Sequence, residues 1–301
     1  KIMIKRIVVY PTQGIGNRIK VILSSKILSK YLNIPIHINW LKEKCINLNY
    51  SDIFSDDPNT LEDKIISKST YIFNPDIHTE KILNQLIKNN VEVNTLVIQG
   101  GHCFKHPDMS IYDFLKEKQK VFKNLEWCEN ILQKVNKLNL EKCIGLHVRK
   151  YVKKYDEADN FHSKGFDQFK CGLEYYYDKL DKILPNYKNH KIFCSSNDNN
   201  VKQLVKEKYG EKVIQNDNTT FERSNTEDSI ESVVDFICLS KCSIIIGTYY
   251  SSFSDEACFF NLIPKICISD KEEKDAYHTY GYDDKTGILI PYFKNNKDFL
   301  I

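Results

Sequence analysis

The sequence has 301 residues, 42% of them hydrophobic and 12% aromatic, enough to bury one large or two medium cores, so a wholly disordered chain is excluded. Its 43 Lys and Arg against 40 Asp and Glu leave a net charge of +3, which argues against a general nucleic-acid surface. No apolar run reaches the roughly 18 residues that a membrane-spanning helix needs.

The opening segment KIMIKRIVVYPTQG is too short and too quickly interrupted for a secretory signal, and reads as a first strand ending in a loop. Within it IKRIVVY (4–10) is β-branched. From Ile19 to Leu32 the apolar residues Ile19, Ile22, Leu23, Ile27, Leu28 and Tyr31 recur at spacings of three and four, which predicts a helix. IPIHINW (34–40) then predicts a second strand, completing a βαβ unit over residues 1–40. In the region 45–125, TLVIQGG (95–101) reads as a strand and SIYDFLKEKQKVF (110–122) as a helix.

A second series starts near residue 126: a helix (126–138), the strand CIGLHVR (143–149), a polar loop of some twenty residues and a helix around 170–184. KIFCSS (191–196), a helix closed by Gly210, KVIQ (212–215), a helix (227–240), SIIIG (243–247), a helix (252–260) and PKICIS (264–269) follow. Strands alternating with helices predict parallel sheets. The expected architecture is α/β, two Rossmann-like domains facing across a cleft, with boundaries at 1–125 and 126–301.

The ten cysteines, spread from Cys45 to Cys267 with no C-x-x-C pair, read first as buried free thiols, with some disulfides as the alternative. Cys238 and Cys242 lack the second ligand pair that zinc needs. No GxxxxGK[ST] is present, which removes a P-loop reading.

Ligands of open α/β sheets sit beyond the C-terminal ends of the strands, and three stretches fall at such ends. QGIGNR (13–18) joins a strand to a helix, where Gly14 and Gly16 permit close backbone approach and the helix N-terminus favours an anion; a plain glycine turn is the alternative. GLHVRK places His147 and Arg149 on one side of a strand as it ends. Arg149 offers a planar fork suited to phosphate, whereas a solvated strand end would explain the pair without any ligand. In DSIESVVDFICLSKCSIIIGTYYSSFSDEACFF (228–260), Asp235 sits among apolar residues, a costly place for a carboxylate without donors. A guanine edge would supply two N–H groups, and an interhelical hydrogen bond would serve equally well. Ser251 and Ser252 open the next helix, as N-caps or as part of a diphosphate site.

Together these stretches resemble the GDP-fucose-dependent fucosyltransferases of GT-B-like fold, a superfamily holding the α1,2-, core α1,6- and protein O-fucosyltransferases. QGIGNR is similar to their G-x-G-N loop, GLHVRK to their H-V-R-R motif, IFCSSND to their strand ending in Ser/Thr-Asp-Asp, and VVDFICLSKCSIIIGTYYSSFSDEA to their long C-terminal motif. The resemblance covers residues 5–33 and 143–262. It implies an inverting transfer of fucose from GDP-fucose, as donor substrate, to a hydroxyl of a glycan or glycoprotein, with no cofactor or metal required. It places Gly14, Gly16, Asn17, Arg18, His147, Arg149, Asn197, Asp198, Asp235, Thr248, Ser251 and Ser252 at the GDP-sugar, with Arg149 on the β-phosphate. Lys153 and Glu157 stand six and ten residues after His147, as a Lys and a Glu do in the core α1,6 enzymes. The shorter chain is nearer the α1,2 enzymes, whose R-R-G-D is Arg149-Lys-Tyr-Val here. Arg149 and Lys153 are expected to stabilise the leaving GDP, and Glu157, with Asp156 second, to take the acceptor proton. A transferase for another sugar nucleotide and an inactive glycan-binding relative are the alternatives.

Overall fold

A computed structural model of the chain describes residues 4–61, 70–88, 93–152, 171–216, 222, 224–249, 251–268, 280–283 and 288–291. The chain divides into two compact units, one of Lys1–Glu43, Leu48–Cys128 and Tyr280–Ile290, the other of Lys44–Asn47, Glu129–Thr279 and Pro291–Ile301.

The first unit opens with β1 (Arg6–Pro11), α1 (Ile15–Leu32) and β2 (Ile36–Ile38), followed by β3 (Thr70–Phe73), α2 (Glu80–Lys88), β4 (Thr95–Gly100) and α3 (Ile111–Lys123). The four strands form a parallel sheet in the order β2-β1-β4-β3. Ile7, Val9, Leu96 and Ile98 pack with Val21 and Leu28 of α1 and Leu83 and Leu86 of α2. Full burial of such a side chain is worth about 1.5–3 kcal/mol. Helix α1 begins four residues before its first periodic apolar residue, because Ile15 and Arg18 of its opening turn are themselves buried. It ends at Asn33, which adopts the left-handed conformation (φ 54°) and donates its backbone N–H to the carbonyls of Lys30 and Ser29. Strand β2 is shorter than IPIHINW suggests. Its pairing with β1 ends where Asn39 N donates to Val9 O at 2.8 Å; the Asn39 side-chain amide donates to the Tyr10 hydroxyl (2.9 Å), and Trp40 lies over the Arg18 guanidinium.

The second unit holds α4 (Glu129–Lys137), β5 (Cys143–Val148), α5 (Leu173–Ile183), β6 (Lys191–Ser196), α6 (Asn199–Tyr209), β7 (Val213–Gln215), α7 (Thr226–Ser240), β8 (Ile244–Thr248), α8 (Ser252–Asn261) and β9 (Lys265–Ile268). Its strands also pair in parallel, in the order β7-β6-β5-β8-β9. Every residue of β5 is buried, as a central parallel strand with both faces covered requires. Ile144, Leu146, Ile192 and Ile246 anchor the core with Leu180, Val201 and Val205 from the helices. The helix expected from residue 126 starts at Glu129, because Trp127 is held in an antiparallel bridge to Phe54, the two rings 5.0 Å apart. Strands β10 (Tyr280–Asp283) and β11 (Ile288–Pro291) pair with each other. All ten cysteines are free thiols, seven of them buried. No helix among the described residues is long and apolar enough to cross a membrane, and no cluster of three His, Cys, Asp or Glu among them could hold a metal ion.

Candidate active site

The second unit's sheet changes winding direction once, between β5 and β8; in the first unit β1 and β4 are the two central neighbours. Such a switch point opens a crevice beyond the strand ends, and the sequence motifs cluster at these two places.

At the second unit's switch point, Thr248 ends β8 and ties three elements together. Its Oγ1 accepts the backbone N–H of Arg149 (2.8 Å), shares a 2.7 Å hydrogen bond with the Tyr176 hydroxyl of α5 and reaches the His147 carbonyl at 3.4 Å. The Thr248 carbonyl accepts from Lys265 Nζ (2.9 Å), which also pairs with Asp255 at 2.6 Å, both side chains being buried. Burial alone would discharge the Lys265 ammonium, but Asp255 outweighs it and keeps the charge. Tyr249 N donates to Ile268 O at 2.9 Å, and Ser251 is the N-cap position of α8. The Ser251 hydroxyl makes no capping bond, although Asp255 N donates to its carbonyl at 3.0 Å.

His147 is buried at the end of β5 and lies stacked on Phe253 of α8, with ring centroids 5.1 Å apart and 22° between planes. Its Nδ1 is buried without a hydrogen-bond partner. Burial, then the charges of Lys265 and Arg149, hold its pKa well below the ordinary imidazole value, so the ring is neutral at pH 7. Arg149 is half-buried and donates through Nη1 to the Lys150 carbonyl. Asn197 fastens the same strand end: its Oδ1 accepts from Lys150 N (2.7 Å) and its Nδ2 donates to Lys150 O (2.9 Å). Asp198 caps α6 by accepting from Asn200 N at 2.9 Å.

Asp235 occupies the buried face of α7. One carboxylate oxygen, Oδ1, is buried with no partner, while hydrogen bonds with Ser195 and Asn216 engage the side chain. Burial raises its pKa to about 6 against the pull of Lys202 and those two bonds, with Glu231 adding to the rise. A carboxyl raised in the folded state favours folding at low pH. That contribution is present below its ordinary value near 3.8 and is lost as pH climbs through about 6. Asp235→Asn is therefore expected to gain stability on the parent protein between pH 4 and pH 7. Urea midpoints of both proteins at the two pH values test this, and an unchanged difference would refute it.

Beyond the end of β1 in the first unit, the QGIGNR turn carries Gln13 at φ 68°, a left-handed backbone for a residue with a side chain. Two contacts hold it there: Gln13 N donates to Glu43 (2.9 Å), and Arg18 Nε donates to Gln13 O (2.8 Å). Arg18 was expected to face the sugar nucleotide, but it is completely buried. It donates to Leu41 O and Glu43, each at 2.8 Å, and stacks on Trp40, 4.4 Å from the ring centre. It shapes the turn from behind. Gly14 is the N-cap of α1, Gly16 is buried in the first helical turn, and Asn17 donates to Gln13 Oε1.

The structure thus gathers His147, Arg149, Thr248, Ser251 and Ser252 at one strand-end cluster, and Gly14, Gly16 and Asn17 at another. Lys153, Asp156 and Glu157 lie outside the described residues. Sequence reasoning passed over Tyr176, Asp255 and Lys265. A lysine inside the apolar run PKICIS was the available signal, since a buried ammonium demands a partner.

No protein-family model matches the sequence, and no curated protein matches it. Solved structures do. Fucosyltransferase NodZ from Bradyrhizobium superposes with a TM-score of 0.58 at 15% identity, over 90% of this chain and 97% of that one. NodZ, an alpha-1,6-fucosyltransferase, has also been seen after soaking with GDP-fucose. Arabidopsis thaliana FUT1 in complex with GDP gives 0.58 at 11% identity, over 96% and 73%. POFUT1 without ligand gives 0.52 at 11% identity, over 89% and 99%. The chain has the α/β fold, built on parallel sheets, of NodZ, FUT1 and POFUT1.

Proposed function

We propose that the protein is an inverting glycosyltransferase that moves fucose from GDP-fucose to a hydroxyl of a glycan or glycoprotein. The observation carrying this reading is the cluster at the β5–β8 switch point. There a neutral, buried His147, the Arg149 fork and the N-terminal turn of α8 share one anchor in Thr248. In this reading residues 126–301 bind the donor and residues 1–125 provide the acceptor side.

Arg149 takes the β-phosphate, because a guanidinium stays charged and matches two phosphate oxygens at once. The first-turn N–H groups of α8 and the hydroxyls of Ser251 and Ser252 take the remaining diphosphate charge. His147 stays uncharged and offers Nδ1 to the nucleotide. The unpartnered Oδ1 of Asp235 accepts from the guanine edge, which would offset part of the cost of burying that carboxylate. As the C1–O bond to GDP breaks, negative charge grows on the β-phosphate, where these groups are already in place.

Calorimetric titration with GDP, UDP and ADP tests the donor half, and release of GDP from GDP-fucose over a panel of galactose- and N-acetylglucosamine-ended oligosaccharides tests the transfer half. The expected result is binding selective for GDP, with turnover of GDP-fucose. Equal binding of the three nucleotides would favour a different sugar nucleotide, and binding without turnover an inactive relative.

A further inference from the structure

Tyr176 belongs to none of the sequence motifs, yet its hydroxyl meets the one oxygen that joins β8 to the Arg149 strand end. Helix α5 starts at Leu173 behind its N-cap Gly172, so Tyr176 lies in the first turn. The side chain is buried in the core that also holds Leu146, Val148, Leu180 and Ile246. A buried phenol needs a partner for its O–H, and here the partner is Thr248 Oγ1 at 2.7 Å. Thr248 is itself fully buried.

The two hydroxyls carry one proton each, and their neighbours fix where the protons go. Thr248 Oγ1 meets the Arg149 N–H at 2.8 Å, the Tyr176 hydroxyl, and the His147 carbonyl at 3.4 Å. The N–H can only donate and the carbonyl can only accept. With Tyr176 donating to Thr248, and Thr248 to the His147 carbonyl, both protons have acceptors. The reverse assignment leaves the phenol proton buried with no acceptor among the described residues, at the cost of an unmade hydrogen bond. Burial also pushes the phenol's pKa up, so the donor proton stays in place.

This arrangement matters because of what Thr248 holds. Strand β5 ends at Val148, and the next N–H, that of Arg149, donates to the Thr248 side chain. Lys150 is fastened separately, by Asn197 at both N and O and by its own Nζ to Cys171 O at 2.9 Å. Lys265 fixes the carbonyl of Thr248 but not its hydroxyl. The hydroxyl swings about χ1, and more than one χ1 rotamer is open to a strand residue. Tyr176, a rigid ring seated in the core, selects the rotamer that keeps Oγ1 at Arg149 N.

We propose that Tyr176 is a positioning residue for recognition of the nucleotide's β-phosphate: its hydroxyl locks Thr248 Oγ1, and Thr248 in turn holds the backbone from which the Arg149 fork projects. The proposal rests on the fucosyltransferase reading above, in which Arg149 takes that phosphate. All its members lie in the second unit. Tyr176 touches no substrate and no proton of it moves in the reaction. Two consequences distinguish this role from a packing role. Loss of the hydroxyl should be felt at the β-phosphate alone, and it should be felt only through Arg149.

The test is calorimetry with GDP and with GMP, which lacks the β-phosphate, together with initial rates of GDP release from GDP-fucose. The proteins are the parent, Tyr176→Phe, Thr248→Val, Arg149→Ala and the double variant Tyr176→Phe with Arg149→Ala. Tyr176→Phe keeps the ring and removes one hydrogen bond, so GDP affinity should fall about fivefold. GMP affinity should stay at the parental value. Thr248→Val removes the oxygen itself and should show the same split between GDP and GMP with a deeper loss. Turnover should fall in both variants, since leaving-group charge gathers at the same phosphate. In the Arg149→Ala background, Tyr176→Phe should change GDP affinity by less than about twofold. Parental GDP affinity in folded Tyr176→Phe would overturn the proposal, as would equal weakening of GDP and GMP, or an undiminished effect in the Arg149→Ala background. Where Tyr176→Phe does not fold, the presence or absence of the GDP–GMP split in Thr248→Val decides. A parent protein that does not bind GDP would instead overturn the donor half of the fucosyltransferase reading, and this proposal with it.

Discussion

Arg149→Ala should lower transfer from GDP-fucose by about 10²–10³-fold, the usual effect of deleting one donor aimed at developing charge, or about 2.7–4 kcal/mol of transition-state stabilisation. The expectation follows from where the side chain starts. The backbone of Arg149 is fixed by Thr248 Oγ1 at 2.8 Å, and the next residue is clamped at both N and O by the Asn197 amide. The fork therefore leaves a rigid strand end, so its placement needs little reorganisation when a diphosphate arrives. GDP affinity should fall as well, because the ground-state nucleotide already carries phosphate charge. Arg149→Lys keeps the charge but loses the planar pair of donors, so it should recover only part of the loss. Initial rates and calorimetry on variants with parental thermal melts check this. Near-parental turnover in folded Arg149→Ala would remove Arg149 from the mechanism.

The same strand end shows what the sequence made legible. Full burial on both faces makes β5 an almost continuous apolar run, which His147 interrupts while still buried and which ends at the half-buried Arg149. Central strands and long helices were readable for this reason. Strand β3 was not: only Phe73 of its four residues is buried, so edge position erased the pattern. Helix α2 is nine residues long and follows a polar turn, too short for its buried Leu83, Leu86 and Ile87 to stand out. In the candidate sites, residues adjacent in sequence were legible and residues adjacent only in space were not. QGIGNR announced a strand-to-helix turn, yet nothing in it indicated that Gln13 would reach Asp76, 63 residues away. Arg18 belonged to that motif by position and turned out to be its buried support, since Glu43 and Trp40, which hold it, come from a later stretch of chain.

The largest expected effect on stability is that of Lys265→Met. Its ammonium is fully buried, 2.6 Å from an Asp255 that is itself 2% exposed, and it also donates to the Thr248 carbonyl. Removing it strands a carboxylate and a carbonyl in the interior, and breaking a buried pair in this way typically costs about 3–5 kcal/mol. The unfolding midpoint of the second unit in urea should drop accordingly. Replacing both partners by apolar residues, as in Lys265→Met with Asp255→Leu, removes the stranded charge and should recover most of that loss, because a well-packed apolar pair is often as stable as a buried ion pair. The two measurements then separate packing from positioning. If Lys265 serves only stability, the double variant should bind GDP like the parent. If its bond to Thr248 O also holds the turn that leads to Ser251 and Ser252, GDP affinity should stay about tenfold weaker after stability returns. The geometry favours the second outcome, since Thr248 is the atom-level junction between Lys265 below and Arg149 above. Parental GDP affinity in a restored double variant would confine Lys265 to the core.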